Sequence, residues 1–471
     1  MSRGMSRRPI RATGAMLAVA ACVAGAAGLA GQASAERPAP RAGDATVGNF
    51  DYGQMQSTTI GATGCATNAA GEPSLHVSRA NNVFLGSELG VGGGSQLWRG
   101  LGAVGGTGAS GCGLEYRGQP NAVTPGTGLS GGDIDIAVAP ERNASAKNNV
   151  YVASLNLASI NVATSQDNGT TFTQVPVQGG LPIDDREWIA AFGAQTSLLT
   201  YHDIATNNID VLRRDTATSP YTQISQVIPP TDYKAMNNEL GNIVIDHNNR
   251  PAAPGAFYAY QAFVAPSSSS GTHNNEAWLG VSSDGGHTWA DNPIACSTEG
   301  TSTDLNHNFP NVSVDPAGNL WYAWSNDHKI YTAKSADHGT TWTCSPPVST
   351  TSAQAIFPWL AATSKGVDLV YYGAPTTTNQ TWYVDFAQNL SAAPTGWGAP
   401  QQLMSVHTGA VCESGINCTT GRQLFDDFAV DTDSNGWAHI AYSHDSPALG
   451  VAGTYTGYAV QTKGTPVGHN N

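Results

Sequence analysis

With 471 residues, 54 glycines, 12% charged side chains and a formal net charge of −14, the chain is long enough for one large all-β fold. Its acidity excludes partners such as nucleic acid and anionic lipid surfaces. Helical periodicity is absent almost everywhere, and beyond the N-terminus no stretch is long and apolar enough to span a bilayer.

The chain opens with Arg3, Arg7, Arg8 and Arg11, followed by small apolar residues from Ala15 to Ala30 and then "ASA" at Ala33–Ala35. This is the layout of a secretory signal over residues 1–35, cleaved before Glu36. "SRRPIR" at Ser6–Arg11 resembles a twin-arginine signal, the alternative to the general secretory route. A lipoprotein anchor at Cys22 is disfavoured because apolar residues continue past it. Cleavage removes four arginines and no acids, taking the formal charge from −14 to −18. It also leaves six of the seven cysteines, an even number that in an exported protein points to disulfides. Pairing nearest neighbours gives Cys65–Cys112, Cys296–Cys344 and Cys412–Cys418. None has C-x-x-C spacing, so no zinc site is expected.

Residues 36–71 form an N-terminal segment in which "VGNFDYGQM", Val47–Met55, belongs to no repeat. Seven similar units follow. They start at Glu72, Gly132, Arg186, Leu240, Asn308, Phe357 and Asp426, and occupy residues 72–466 ahead of a tail at 467–471. The clearest, "NFPNVSVDPAGNLWYAWSNDHKIYTAKSADHGTTWTC", reads as strand, Pro/Gly turn, strand, polar loop, strand, turn, strand. Four short strands at a period of 45–70 residues are the signature of a β-propeller blade. The last unit ends after its third strand, Thr454–Thr462, so Val47–Met55 is expected to supply its fourth and close a seven-bladed ring. Six blades with an irregular N-terminus is the competing count.

Three units share an octapeptide between third and fourth strands: "SQDNGTTF" (Ser165–Phe172), "SSDGGHTW" (Ser282–Trp289) and "SADHGTTW" (Ser335–Trp342). The Asp accepts hydrogen bonds from its own turn, the Gly takes positive φ, and the closing aromatic packs between strands, which makes a structural clasp. The octapeptides resemble the Asp-box, or bacterial neuraminidase repeat, through Asp167, Gly169, Asp284, Gly286, Asp337 and Gly339 with their Ser, Thr and aromatic partners. The resemblance implies a sialidase-like propeller with its boxes away from the active face. Asp-box propellers include sialidases, xyloglucan-cleaving glycosidases and non-catalytic receptors, so the box identifies a fold better than an activity.

If the clasps lie at one end, first strands start and second strands finish at the other. That end receives Glu72, Asp133, Asp185, Arg186, Glu187, Glu239, His307, Asn308, Asp426 and Asp427 from first strands. Second strands add Glu88, His202, Asp203, Asp327, His328, His444 and Asp445. Two carboxyl groups across such a mouth can act as acid and base, or as acid and nucleophile, on a glycosidic bond. Asp185, Glu239 and Asp427 are the catalytic candidates, with Arg186, Asp133, His202, His307, Asp327, Asp426 and His444 as substrate-binding candidates.

Adjacent strand residues point to opposite faces, so each His–Asp pair offers one metal ligand at most; no cofactor is expected, with a bound Ca2+ the alternative that no motif supports. "DTDSNG", Asp431–Gly436, starts like a calcium loop but has Tyr442 at its twelfth position, and reads as a turn. Sialidases use three arginines, a Tyr–Glu pair and an Asp. Here the family's Arg-Ile-Pro tripeptide is missing from the mature chain, Arg117, Arg186 and Arg422 are the arginines that fit near the rim, and Tyr201 and Tyr442 are the tyrosines near strand ends. Trp98, Trp188, Trp321, Trp359 and Trp382 could stack on sugars. The reading is thus a secreted, monomeric, sialidase-like propeller that acts on or binds an extracellular glycan or glycoprotein, and is a glycoside hydrolase if it is catalytic. Its rival is a non-catalytic carbohydrate- or protein-binding propeller at the cell surface.

Overall fold

The computed structural model describes residues 46–468 except 48, 54, 60–62, 91–92, 103–110, 123–131, 157–158, 176, 179–183, 307–308, 414–417, 420–421, 427 and 446–452. The expected signal and the tail's last three residues lie outside that set. The described strands form seven sheets, six of which are antiparallel meanders contributed by consecutive segments. The third also takes a short parallel strand, Val177–Gln178, on its outer edge. The inner strands of the seven blades are Gly71–Val77, Ile134–Arg142, Asp184–Phe192, Glu239–Ile245, Asn311–Val314, Gln354–Ala362 and Ala429–Thr432. The architecture is a seven-bladed β-propeller.

The sequence pattern within a blade follows from where each strand sits. Second strands are covered on both faces by neighbouring blades, so "VDLVYYGA" and "AYQAFVA" are buried along their whole length. Fourth strands border solvent, and "ADNP" is half-buried to exposed throughout. The seventh blade takes its fourth strand from the N-terminal segment. Phe50–Tyr52 pairs antiparallel with Tyr455–Gln461, with Phe50 opposite Gln461 and Tyr52 opposite Ala459. Phe50 is fully buried and meets Phe386 of the sixth blade edge-on at 4.8 Å.

Inner strands of neighbouring blades run side by side without a shared ladder, and polar side chains bridge them instead. Asp431 accepts from the Val77 amide at 2.7 Å, Asp135 from Ile189 at 2.8 Å, Asn242 from Val312 at 2.8 Å and Asn311 from Leu360 at 2.8 Å. The "DTDSNG" segment is a turn: Asp433 accepts from the amides of Asn435 and Trp437.

All three octapeptides join a third strand to a fourth and share one bond pattern. At Ser335–Trp342 the Asp337 carboxylate accepts from the Thr341 amide (2.9 Å) and hydroxyl (2.7 Å) and from the Ser335 hydroxyl (2.8 Å). Ser335 Oγ in turn accepts from the Gly339 amide at 2.9 Å. Gly339 has φ +81°, and the preceding His338 also lies at positive φ, +55°. Each clasp leans on the blade before it. An added Cβ on Gly339 would come within 2.6 Å of Leu279, and Arg99 and Arg117 of the first blade donate to carbonyls of the second blade's clasp.

The disulfides are Cys65–Cys112, Cys296–Cys344 and Cys412–Cys418. They suit an oxidising compartment. Among the described residues no helix is long and apolar enough to cross a membrane.

Candidate functional site at the acidic end of the axis

Strand direction puts the starts of inner strands and the ends of second strands on the face opposite the clasps. Three of the inner strands begin with a β-bulge centred on a residue at positive φ: Glu72 (+47°), Arg186 (+44°) and Phe357 (+57°). A bulge breaks the in–out alternation and re-aims the side chains around it. Of the successive residues Asp185, Arg186 and Glu187, the first is exposed and the next two are both buried.

Asp185 is exposed and accepts from the Arg186 amide at 3.0 Å. Although water touches it, protein surrounds it closely, and that desolvation together with Asp133 pushes its carboxyl up to about 6. Glu239 is half-buried, and desolvation followed by repulsion from Asp185 and Asp426 takes it to about 8. The Glu239 carboxyl makes no hydrogen bond or ion pair with the described residues, while its backbone pairs with Val264 in the ladder. Arg186 is 4% exposed, its guanidinium 3.9 Å over the Trp188 ring, 4.9 Å from Phe309 and 3.6 Å from the Asp133 carboxylate.

Glu72, Glu88 and Glu187 are buried, and desolvation raises each of them well above the usual carboxylate range. Arg422, on the connector into the seventh blade, bonds Glu72 at 2.6 Å and also contacts Asp426. Burial lowers the pKa of Arg422, but these two carboxylates outweigh it and hold the guanidinium charged.

Asp185, Glu239 and Asp426 thus act on one another across three blades. Asp427 and His307 lie outside the described residues. Asp133, at 5% exposure, and Arg186, at 4%, sit beneath the surface. His202 is half-buried and stands opposite Asp185 in the ladder. Asp327 accepts from Gln354 at the sixth-blade edge, and His444 packs between Tyr442 and Tyr455.

Three sequence expectations need correction. Arg117 is at the clasp end, donating to Gly169 and Thr170 carbonyls, so only Arg186 and Arg422 of the three arginines serve the mouth. Tyr201 and Tyr442 are buried at 0% and 7% exposure, which denies them a nucleophile's access. Trp98, Trp188, Trp321 and Trp382 are core residues at 0–1% exposure; of the five, only Trp359 keeps partial exposure. The burial of Glu187 has no sequence signal, because it depends on the bulge at Arg186.

Toward the clasp end the inner strands enclose a cavity of about 150 Å3 lined by His76, Asp135, Asn242, Asp246, His247, Asp315 and Asp431 among others. None of the mouth carboxylates lines it. Its aspartates are spent on backbone amides, as with Asp246 at Asn248 and Asp315 at Ala317, so it offers no comparable acid–base pair.

No family model matches the chain. No curated protein matches it either. Among solved structures it is similar to the GH74 enzyme of Niastella koreensis, with 14% identity over 83% of this chain and 52% of that one at a TM-score of 0.48. The GH74 xyloglucanase of Xanthomonas campestris gives 13% over 84% and 53%, at 0.46. The NanB sialidase of Streptococcus pneumoniae gives 11% over 87% and 70%, at 0.41. The chain spans about half the length of the two GH74 enzymes. Such distances carry no activity across, and the assignment of the chain to the β-propellers rests on its own sheet topology.

Proposed function

We propose that the chain is an exported, sialidase-like Asp-box propeller whose acidic mouth hydrolyses a glycosidic bond in an extracellular glycan. The observation that supports this reading is the pair Asp185 and Glu239: two accessible carboxyl groups, electrostatically coupled, with different proton affinities. Glu239 is the general acid, protonated at neutral pH. Asp185, ionised, is the base or nucleophile, with Asp427 the alternative carried over from the sequence.

An anionic sugar fits this mouth poorly. Arg422 is bonded to Glu72 and Asp426, and Arg186 faces Asp133 beneath the surface. No further described arginine stands among these carboxylates to take a substrate carboxylate in a bidentate fork. A neutral glycan is therefore the proposed substrate class, recognised through hydroxyl groups donating to the mouth's carboxylates. The reading includes a cleaved signal over residues 1–35 and a monomeric, secreted protein.

The test is turnover on a panel of aryl-glycosides and neutral polysaccharides. Glu239→Gln and Asp185→Asn are each expected to lower kcat by at least about a hundredfold, the typical worth of a positioned acid or base. Binding on a glycan array with no turnover by the parent protein would replace hydrolysis with the carbohydrate-binding reading.

A further inference from the structure

We propose that the buried carboxylates beneath the mouth form a binding site for a divalent cation of the calcium type. One oxygen from each of Glu72, Asp133 and Asp426 lies within 4.8 Å of the other two. Oxygens that share one Ca2+ at about 2.4 Å apiece stand no further apart than about 4.8 Å, so these three are close enough to hold one ion. The three come from the first, second and seventh blades, which are adjacent in the ring, so the ion would bridge the seam where the chain's two ends meet.

An independent observation points the same way. Glu187 is 0% exposed, and neither of its carboxylate oxygens has a hydrogen-bond partner among the described residues. Asp133, one of the three, is the strongest charge acting on it, ahead of Arg186. Glu72 is also 0% exposed and, while Arg422 takes one of its oxygens, Oε2 has no hydrogen bond. With Glu88 at 1% exposure, five carboxylates share this region with two guanidinium groups, those of Arg186 and Arg422.

Buried acceptors without donors are costly, and a cation among them satisfies several at once. A small ion fits better than the amine of a sugar, since Glu72 and Asp133 are 0% and 5% exposed. An all-oxygen donor set with neither His nor Cys selects a hard ion such as Ca2+.

The experiment titrates CaCl2 into chelator-treated full-length protein, read by calorimetry and by thermal unfolding, with Tb3+ luminescence as a second probe of the site. The expected result is one ion per chain and a Tm that rises with Ca2+ and saturates. Asp133→Asn should weaken Ca2+ affinity at least about tenfold, as expected when one charged ligand is lost. Asp426→Asn, at a more accessible position, serves the same purpose if Asp133→Asn does not fold. No saturable binding at up to about 10 mM Ca2+, well above the range of extracellular calcium modules, overturns the site. So does affinity unchanged in the folded variants. Glycoside turnover is not a readout here, so the site and the hydrolase reading fail separately.

Discussion

Glu239 and Asp185 hold the proton at opposite ends of the neutral range, and hydrolysis at this pair has a definite pH signature. Asp185 must be ionised to act as base or nucleophile, so kcat/KM falls as pH drops below about 6. Glu239 must carry its proton to act as acid, so the rate falls as pH rises above about 8. The expected profile is a bell centred near 7, from kcat/KM measured between about pH 4 and 10 on the best aryl-glycoside. Glu239→Gln should abolish the alkaline limb while leaving the acid one. A profile flat from 5 to 9 would take the acid–base roles from these two residues. The sequence already located this end of the molecule, because strand order fixes which residues begin inner strands. It could not order Asp185, Arg186 and Glu187 by exposure, since alternation would expose Glu187 along with Asp185, whereas the bulge at Arg186 leaves both Arg186 and Glu187 buried. Nor could it pair Arg422 with Glu72, a contact between residues 350 positions apart.

At the scale of the element, the clasp shows how much a short repeat can reveal. Ser, Asp, Gly, Thr and the aromatic each have the role their chemistry suggests: Ser335 to the Gly339 amide, Asp337 to Thr341, and the Trp342 indole N–H to the Gly339 carbonyl at 3.0 Å. The variable position before the glycine was less legible. It adopts positive φ in all three copies, as Asn168, Gly285 and His338. Its occupant is set by the neighbouring blade: His338 meets the Tyr260 hydroxyl at 2.7 Å and stacks on Tyr258 at 4.1 Å. Hydrogen bonds from Thr341 and Ser335 hold the exposed Asp337 carboxyl down at about 2. Its stabilising contribution is complete above about pH 4 and is lost as pH falls toward 2. Asp337→Ala should therefore cost about 1 kcal/mol in urea unfolding at pH 7, and the difference from the parent should shrink as the pH approaches 2. An equal cost at pH 7 and pH 2 would show that the carboxylate's charge contributes nothing to the clasp.

The whole molecule is a ring, and a ring is only as sound as its closure. Six of the seven blades are each built from consecutive segments, which is why the repeat was visible, whereas the last joins Phe50–Tyr52 to Tyr455–Gln461 across almost the whole chain. The missing fourth strand was evident from counting. What counting could not supply is how deeply the closing strand is set: Phe50 is fully buried in a core shared by the sixth and seventh blades, with Phe386, Ile440 and Ala459. Removing it opens a cavity and bares the edge of Tyr455–Gln461, a ready template for another chain. Phe50→Ala should cost about 3–5 kcal/mol in urea unfolding, within the usual range for a buried aromatic. A chain starting at residue 54 should lose more and self-associate, because the substitution spares the backbone ladder and the deletion does not. Size-exclusion chromatography with light scattering, run beside the urea titration, separates the two effects. A shortened chain that stays monomeric with an unshifted midpoint would mean that the seventh blade is held by its seam contacts, such as Asp431 to the Val77 amide, and not by the borrowed strand.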